Sequence, residues 1–111
     1  MDTDRDTIRM MADYDCYPIW RREHGGTVNV DPATLPINRE LAESLMYWAE
    51  EYDRTLNRSD PISSGFADPV AENEFYARGE MLARRLASEL GDTRQVAYFD
   101  ARLGTDVVIA P

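Results

Sequence analysis

The sequence predicts a two-layer α+β fold, in which a small, mostly antiparallel sheet carries two amphipathic helices packed on one face. Three observations predict it: an alternating apolar pattern near the start, two helical apolar stripes in the middle, and two β-rich runs near the end. The expected order is a strand or hairpin, two helices and two strands. Because an antiparallel helix pair returns the chain to its starting end, we expect the strand after the helices to lie antiparallel to the strand before them.

The first strand is predicted over residues 8–20, where apolar and polar side chains alternate with the period of two of a half-buried strand. The residues of the apolar parity are Ile8, Met10, Ala12, Tyr14, Cys16, Pro18 and Trp20. The glycines of "HGGT" that follow are typical of a turn. They predict that residues 27–30 fold back as a short second strand.

The first helix is predicted over residues 39–56, with Asn38 as its N-cap, because no helix-breaking residue interrupts that segment. Side chains spaced by three or four residues draw one apolar stripe along it. The residues of this stripe are Leu41, Leu45, Trp48, Tyr52 and Leu56.

The second helix is predicted from Pro69 to Leu90, with Asp68 as its N-cap and Gly91 as the residue that ends it. Its apolar stripe consists of Phe75, Gly79, Leu82, Leu86 and Leu90. A glycine in a helix interior costs about 1 kcal/mol relative to alanine. We therefore expect Gly79 to permit the close approach of a neighbouring helix or strand.

Two more strands are predicted over residues 94–101 and 105–111, with Leu103 and Gly104 in the turn between them. At 111 residues the chain suits a single domain over residues 1–111, built around one modest core. Residues 1–7 are expected to form a flexible acidic N-terminus.

The charge balance indicates the kind of partner. The formal net charge of −9 disfavours nucleic acids and anionic membranes, since both repel a negative field, and it favours a basic protein. No apolar run approaches the ~20 residues that span a bilayer, and the first residues are acidic where a secretory leader is basic. A single cysteine also rules out an internal disulfide, so we expect a cytoplasmic protein.

Cys16 admits two interpretations, a reactive thiol or a small apolar side chain that packs in the core. Its position on the apolar parity of the predicted strand favours packing. The neighbouring Asp13 and Asp15 disfavour the thiolate and would raise the thiol pKa. We therefore expect a buried, inert cysteine.

Asp13 and Asp15 also raise the alternative of a metal site. Two residues apart on one strand, they would project from the same face about 7 Å from each other, and His24 could join them. However, no calcium-loop motif surrounds them, and carboxylates on the solvent face of a strand are common. We expect no metal, no cofactor and no catalytic residue.

The chain carries more aromatic residues than its helical stripes use. Tyr17, Phe66 and Tyr76 fall outside those stripes, and together with Asp13 and Asp15 they form a candidate interaction surface. Aromatic side chains anchor interfaces, and carboxylates steer a basic partner. The alternative is that these aromatics close the edge of the core.

The segments "ADYDCYPIW", "VDPATLPIN", "WAEEYD", "DPISSGF" and "GEMLARRLASELG" together resemble a group of small actinobacterial proteins of unknown function. A basic complement that is entirely arginine is consistent with a G+C-rich genome of that kind. The resemblance implies the fold and the cytoplasmic compartment, and it carries no activity.

The leading hypothesis is a non-enzymatic, acidic protein-binding domain, either an immunity-type neutraliser of a basic toxin or a small regulator. The alternatives are a small metal-dependent enzyme that uses Asp13, Asp15 and His24, and a mimic of nucleic acid. A homodimer is a further hypothesis, because Met11, Tyr17 and Ile19 share the outer parity of the first strand and would make the open face of the sheet partly apolar.

Overall fold

The computed structural model describes residues 7–23 and 25–111. They form one five-stranded sheet with the strand order β3-β2-β1-β4-β5, together with two long helices. The strands are β1 (Thr7–Met10), β2 (Ile19–Glu23), β3 (Gly26–Val30), β4 (Gln95–Asp100) and β5 (Thr105–Ile109). The helices are α1 (Arg39–Asp53) and α2 (Pro69–Leu90). The predicted fold class, α+β with a mostly antiparallel sheet, is confirmed.

The predicted single strand over residues 8–20 is wrong, because β1 ends at Met10 and β2 begins at Ile19. The intervening residues 11–18, here named the 11–18 loop, are closed by a hydrogen bond from the Met11 amide to the Pro18 carbonyl oxygen (2.9 Å). Asp13 and Asp15, residues of a type common in turns, lie in this loop. Its side chains still alternate between more and less exposed positions, although the loop pairs with no strand. Thr7, expected in the N-terminal tail, begins β1, and residues 1–6 lie outside the described residues.

The central strand pair is parallel, which contradicts the antiparallel arrangement expected across the helices. β1 and β4 pair with Thr7 opposite Gln95, whereas every other pair in the sheet is antiparallel. The strand that directly precedes the helices is β3. It does not pair with β4, because β2 and β1 lie between them in the sheet. The end of α1 lies beside the loop that follows β1, where the Asp15 amide donates to Asp53, so α1 runs in the direction of β1.

The hairpin predicted after the first strand is confirmed. β3 pairs antiparallel to β2, with Ile19 opposite Val30. Gly25 in the connecting turn has a φ of +87°, a conformation that glycine adopts without steric cost. His24, predicted in the same turn, lies outside the described residues.

Both helices begin at the predicted N-caps. The Asn38 side chain accepts a hydrogen bond from the Leu41 amide (3.0 Å), and the Asp68 side chain accepts one from the Ala71 amide (2.8 Å). α2 ends before Gly91, as predicted, whereas α1 ends at Asp53 instead of residue 56.

The core lies between the helices and one face of the sheet. Side chains of alternating strand positions meet the apolar stripes of α1 and α2 there. Those with no more than 1 % of their surface exposed are Ile8, Met10, Ile19, Leu41, Leu45, Phe75, Ala83, Leu86, Val96 and Tyr98. Ile19 thus faces the core and not the open face, because the 11–18 loop resets the parity of β2.

The opposite face of the sheet is open and carries both aromatic and charged side chains. The Arg9 guanidinium lies 5.3 Å from the centre of the Phe99 ring, and its Nε donates to Asp106 (3.0 Å). Arg9 and Arg22 outnumber Asp106 around the shallow cavity in the middle of this face. The open face is therefore not acidic, unlike the chain as a whole.

Gly79 lets two buried aromatic side chains reach the backbone of α2, as its place in the helix predicted. The Trp48 indole N–H donates to the Phe75 carbonyl oxygen (2.9 Å), and the Tyr98 hydroxyl donates to the Tyr76 carbonyl oxygen (2.9 Å). A Cβ atom on residue 79 would lie 2.6 Å from Trp48 Cζ2 and would overlap the Tyr98 hydroxyl. The missing side chain is thus a condition for the contact between α2, α1 and β4.

We predict that Gly79→Ala destabilises the protein, although alanine is the better helix former. Overpacking costs about 1–3 kcal/mol, which outweighs the ~1 kcal/mol gain in helix propensity. Urea unfolding measures the loss, with Ser88→Ala on the exposed side of α2 as the control. Because the closest overlap is with the hydroxyl, Gly79→Ala should cost less in a Tyr98→Phe background. A Gly79→Ala variant as stable as the native chain would contradict the packing described.

Asp100 is the one charged residue in the core of the described chain, at 4 % exposure. Its carboxylate accepts hydrogen bonds from Arg102 through the backbone amide (2.9 Å), Nε (3.0 Å) and Nη2 (2.8 Å). Arg102 in turn reaches Glu80 of α2 at 3.2 Å. These bonds to Arg102 hold the pKa of Asp100 below its usual value despite burial.

We predict that this carboxylate contributes stability that acid removes. The pKa of Asp100 is lower in the folded state than the unfolded value of about 3.9. Its contribution to the free energy of unfolding is therefore complete at neutral pH, and it is lost as the pH falls below the unfolded pKa and through the folded one. Asp100→Asn should cost about 1–2 kcal/mol at neutral pH and progressively less as the pH falls below about 4. Thermal unfolding across pH measures this, and Asp106→Asn on the open face is the control. Equal losses for both variants at every pH would contradict the role of Asp100.

Candidate functional site

The 11–18 loop holds three residues of the predicted interaction surface, Asp13, Asp15 and Tyr17. All three are exposed, Tyr17 at 39 %. The loop joins the ends of β1 and β2 and lies between the end of α1 and the edge strand β3. Its conformation depends on contacts to both.

Contacts with the end of α1 hold one side of the loop. The Asp15 amide donates to Asp53 Oδ1 (2.9 Å), and the Tyr14 ring stacks on Tyr52 with 4.7 Å between ring centres. The Tyr14 hydroxyl lies 3.2 Å from Thr55 Oγ1. Asp15 has a φ of +59°, a left-handed conformation that aspartate tolerates better than most residues.

Asn29 of β3 holds the other side. Its side-chain Oδ1 accepts from the Tyr17 backbone amide (2.9 Å). Its side-chain Nδ2 donates to the backbone carbonyl oxygens of Tyr17 (2.8 Å) and Ile19 (3.1 Å). One side chain thus satisfies both backbone groups of Tyr17. The Tyr17 ring is presented to solvent from a fixed backbone.

The two carboxylates of the loop have different partners. Asp13 accepts from the Tyr14 amide (2.8 Å), whereas Asp15 forms an ion pair with Arg58 (2.8 Å). The hydrogen bond from Arg58 lowers the pKa of Asp15. Neither residue lies on the strand expected to hold it, since both belong to the 11–18 loop.

No cluster of three His, Cys, Asp or Glu side chains that could hold a metal ion occurs within residues 7–23 and 25–111. His24, the third member of the proposed metal site, lies outside this part of the chain.

Cys16 lies in the turn and not on a strand, and it is half-buried instead of fully buried. Desolvation raises the pKa of its thiol, and the negative charges of Asp13, Asp15 and Asp53 raise it further. The expected direction of the pKa shift is thus found, although the expected strand is not.

Phe66 and Tyr76, the other two residues of the predicted surface, lie at the edge of the core. Tyr76 is only 7 % exposed, and burial raises its pKa to about 12. Its ring meets Phe75 edge-on at 4.9 Å and Phe66 at 6.1 Å. Packing at the edge of the core is the alternative role considered for them.

Sequence reasoning missed Tyr47, which is 70 % exposed and is the most exposed aromatic side chain of the described chain. It points away from the apolar stripe of α1, between Glu43, Glu50 and Glu51 at helical spacing. An aromatic residue opposite the core stripe was the signal in the sequence that indicated it.

The comparison with known proteins identifies the family. A family model described as "Serratia CdiI immunity protein-like" matches residues 6–101. The chain belongs to this family. No curated protein matches it.

Membership in an immunity-protein-like family implies an immunity-type function, the binding of a protein partner. The matched region contains the 11–18 loop, both helices and β4, and it ends before β5 begins at Thr105. Both the predicted loop surface and Tyr47 thus belong to the part of the chain that carries the family resemblance. Neither α1 nor α2 is long and apolar enough to cross a membrane, among the residues described.

We predict that Cys16 reacts slowly with iodoacetamide near neutral pH, several-fold more slowly than the cysteine of an unfolded peptide, because its thiolate is disfavoured. Asp13→Asn should speed the reaction by removing one of the charges that raise the thiol pKa. The pH dependence of alkylation measures both effects, with Asp106→Asn as the distant control. A native rate equal to that of the free peptide would contradict this description of the thiol.

Proposed function

We propose that this chain is an immunity protein that binds and neutralises a protein toxin with a basic contact surface. The observation that carries the proposal is the match of residues 6–101 to an immunity-protein-like family. The net charge of −9 supports the basic character of the partner.

The chain keeps an excess of negative charge after its internal ion pairs are counted. Most arginines of the described chain are already engaged with carboxylates: Arg9, Arg39, Arg58, Arg78, Arg84, Arg85 and Arg102. Since carboxylates outnumber arginines 21 to 12 in the whole chain, the field outside the protein is negative. Such a field accelerates the encounter with a cationic protein and weakens as salt is added.

The 11–18 loop suits a contact with this partner. Its backbone is fixed by Asp53 on one side and Asn29 on the other, so little conformational entropy is lost when it binds. Asp13, which has no ion pair among the described residues, and Tyr17 supply a carboxylate and an aromatic ring. We propose both as contact residues.

Two broader proposals accompany this function. We place the protein in the cytoplasm, a compartment that suits its single, free cysteine. Its lysine-free composition supports an actinobacterial source. A homodimer through the open face of the sheet stays a prediction from the sequence.

The test is the rescue of growth. We predict that one gene adjacent to this chain's own gene encodes a protein that arrests growth, and that co-expression of this chain restores growth. The purified pair should associate more slowly as salt increases, and Asp13→Asn should slow association modestly at low salt. Stopped-flow or surface-plasmon measurements determine these rates. Asp106→Asn, on the open face, is the control.

Absence of any toxic neighbouring product, or a toxic product that this chain neither binds nor neutralises, would contradict the immunity function. Neutralisation with salt-independent association would leave that function in place and contradict the basic nature of the partner.

A further inference from the structure

The outward side of α1 carries an exposed aromatic ridge. Tyr47 stands on it at 70 % exposure, opposite the stripe that packs Leu45 and Trp48 into the core. An isolated exposed tyrosine needs no explanation by itself. The surface around Tyr47, however, is concave on both sides.

Two grooves flank Tyr47, which lines both. The groove towards the segment that follows β3 encloses about 480 Å³, and its apolar walls are Ala33, Ala42 and Met46. The groove towards α2 encloses about 360 Å³ and is lined by Trp48, Met81 and Leu82. Met81 is itself 68 % exposed. Volumes of this size accommodate side chains of a partner, and methionine walls adapt to their shape.

Carboxylates surround the ridge. Glu43, Glu50 and Glu51 lie within about one helical turn of Tyr47, and each borders one of the two grooves. In α1 as a whole, five carboxylates accompany a single arginine, as its sequence RELAESLMYWAEEYD shows. The rim is therefore negative at the groove towards the segment that follows β3, where Asp31, Glu43 and Glu50 outnumber Arg39. At the groove towards α2 it is not, because Arg54 and Arg78 outnumber Glu51 there.

The carboxylates are available to a partner at small cost. Glu50 is exposed and has no ion pair within residues 7–23 and 25–111. Glu43 pairs with Arg39 at 3.3 Å, with side chains 61 % and 92 % exposed, and Glu51 pairs with Arg78 of α2. Exposed pairs of this kind contribute about 0–1 kcal/mol, so the cations of a partner can replace them.

We infer that Tyr47 and the groove between it and the segment that follows β3 are the centre of the surface that docks the basic face of the toxin. Arginine or lysine side chains of the toxin lie along the Tyr47 ring in this groove, and their charged ends meet Glu43 or Glu50. This inference rests on the proposed function and names the surface that performs it. The 11–18 loop lies further along the same helix, because Asp53, which accepts from the Asp15 amide, is about 9 Å along the helix axis from Tyr47.

Charge favours this occupant over the others. Two copies of α1 would bring carboxylates against carboxylates, which disfavours a second copy of the chain. The open face of the sheet, where Arg9 and Arg22 outnumber Asp106, would repel a basic partner. Among the faces described, the outward side of α1 combines exposed aromatic area, concavity and the complementary charge.

The experiment uses the full chain and the growth-arresting product of the adjacent gene as the probe, with affinity measured by calorimetry. Tyr47→Ala should weaken binding at least about tenfold, as expected for a central aromatic anchor. Tyr17→Ala should weaken it less, and Val108→Ala, equally exposed on the other face, should leave it unchanged. Glu50→Arg should slow association, whereas Glu50→Gln should slow it less.

A second measurement does not depend on affinity. A photo-reactive benzoylphenylalanine at position 47 should cross-link to the toxin, and one at position 108 should not. Circular dichroism checks that each variant folds, which we expect because both side chains are exposed.

The outcomes separate this inference from the proposed function. If the native chain binds the toxin and Tyr47→Ala binds equally well, the docking surface is wrong and the function stands. If light scattering shows a dimer that Tyr47→Ala dissociates, the occupant is a second copy and the inference is overturned. If the native chain does not bind the toxin, both fall together.

Discussion

The close contact of Trp48 and Tyr98 with the backbone of α2 is the constraint on which the rest of the structure depends. Both side chains donate hydrogen bonds to carbonyl oxygens of that helix, one from α1 and one from the sheet, and both need residue 79 to lack a side chain. The two polar groups are satisfied although they are buried, so the aromatic rings can fill the interior without an unpaired donor. The missing side chain at this one position thus allows α2 to approach both α1 and β4 closely.

Much of the fold could be predicted from the sequence wherever a local signal was complete. α2 has an aspartate cap, a proline at its first position and a terminal glycine, and its bounds were correct at both ends. The first strand failed because the 11–18 loop keeps an alternating pattern without pairing, so periodicity alone could not distinguish it from β1 and β2. The parallel β1–β4 pair failed because pairing between distant strands depends on the path of the whole chain, which no local pattern records.

The candidate site divides in the same way. Tyr17 was expected at the surface because it falls on the outer parity of the predicted first strand, and the 11–18 loop keeps that alternation of exposure without a strand. Tyr76 is buried because α2 packs against both α1 and β4 and so uses a wider face than one stripe. Helical geometry alone predicts that Tyr47 lies outside the apolar stripe of α1. Its two grooves could not be predicted in this way, because they form between α1 and two other parts of the fold, the segment after β3 and α2. Charge and family point to a protein partner, and tertiary structure alone selects the surface.

The pairing of β1 with β4 also orders the events of synthesis. The central ladder joins Thr7 to Gln95, so β1 waits for its partner until the chain has been synthesised beyond residue 95. Before that moment the β1–β2–β3 meander has an unsatisfied inner edge and an apolar face without its full cover. The five-stranded sheet can therefore close only after both helices have been synthesised.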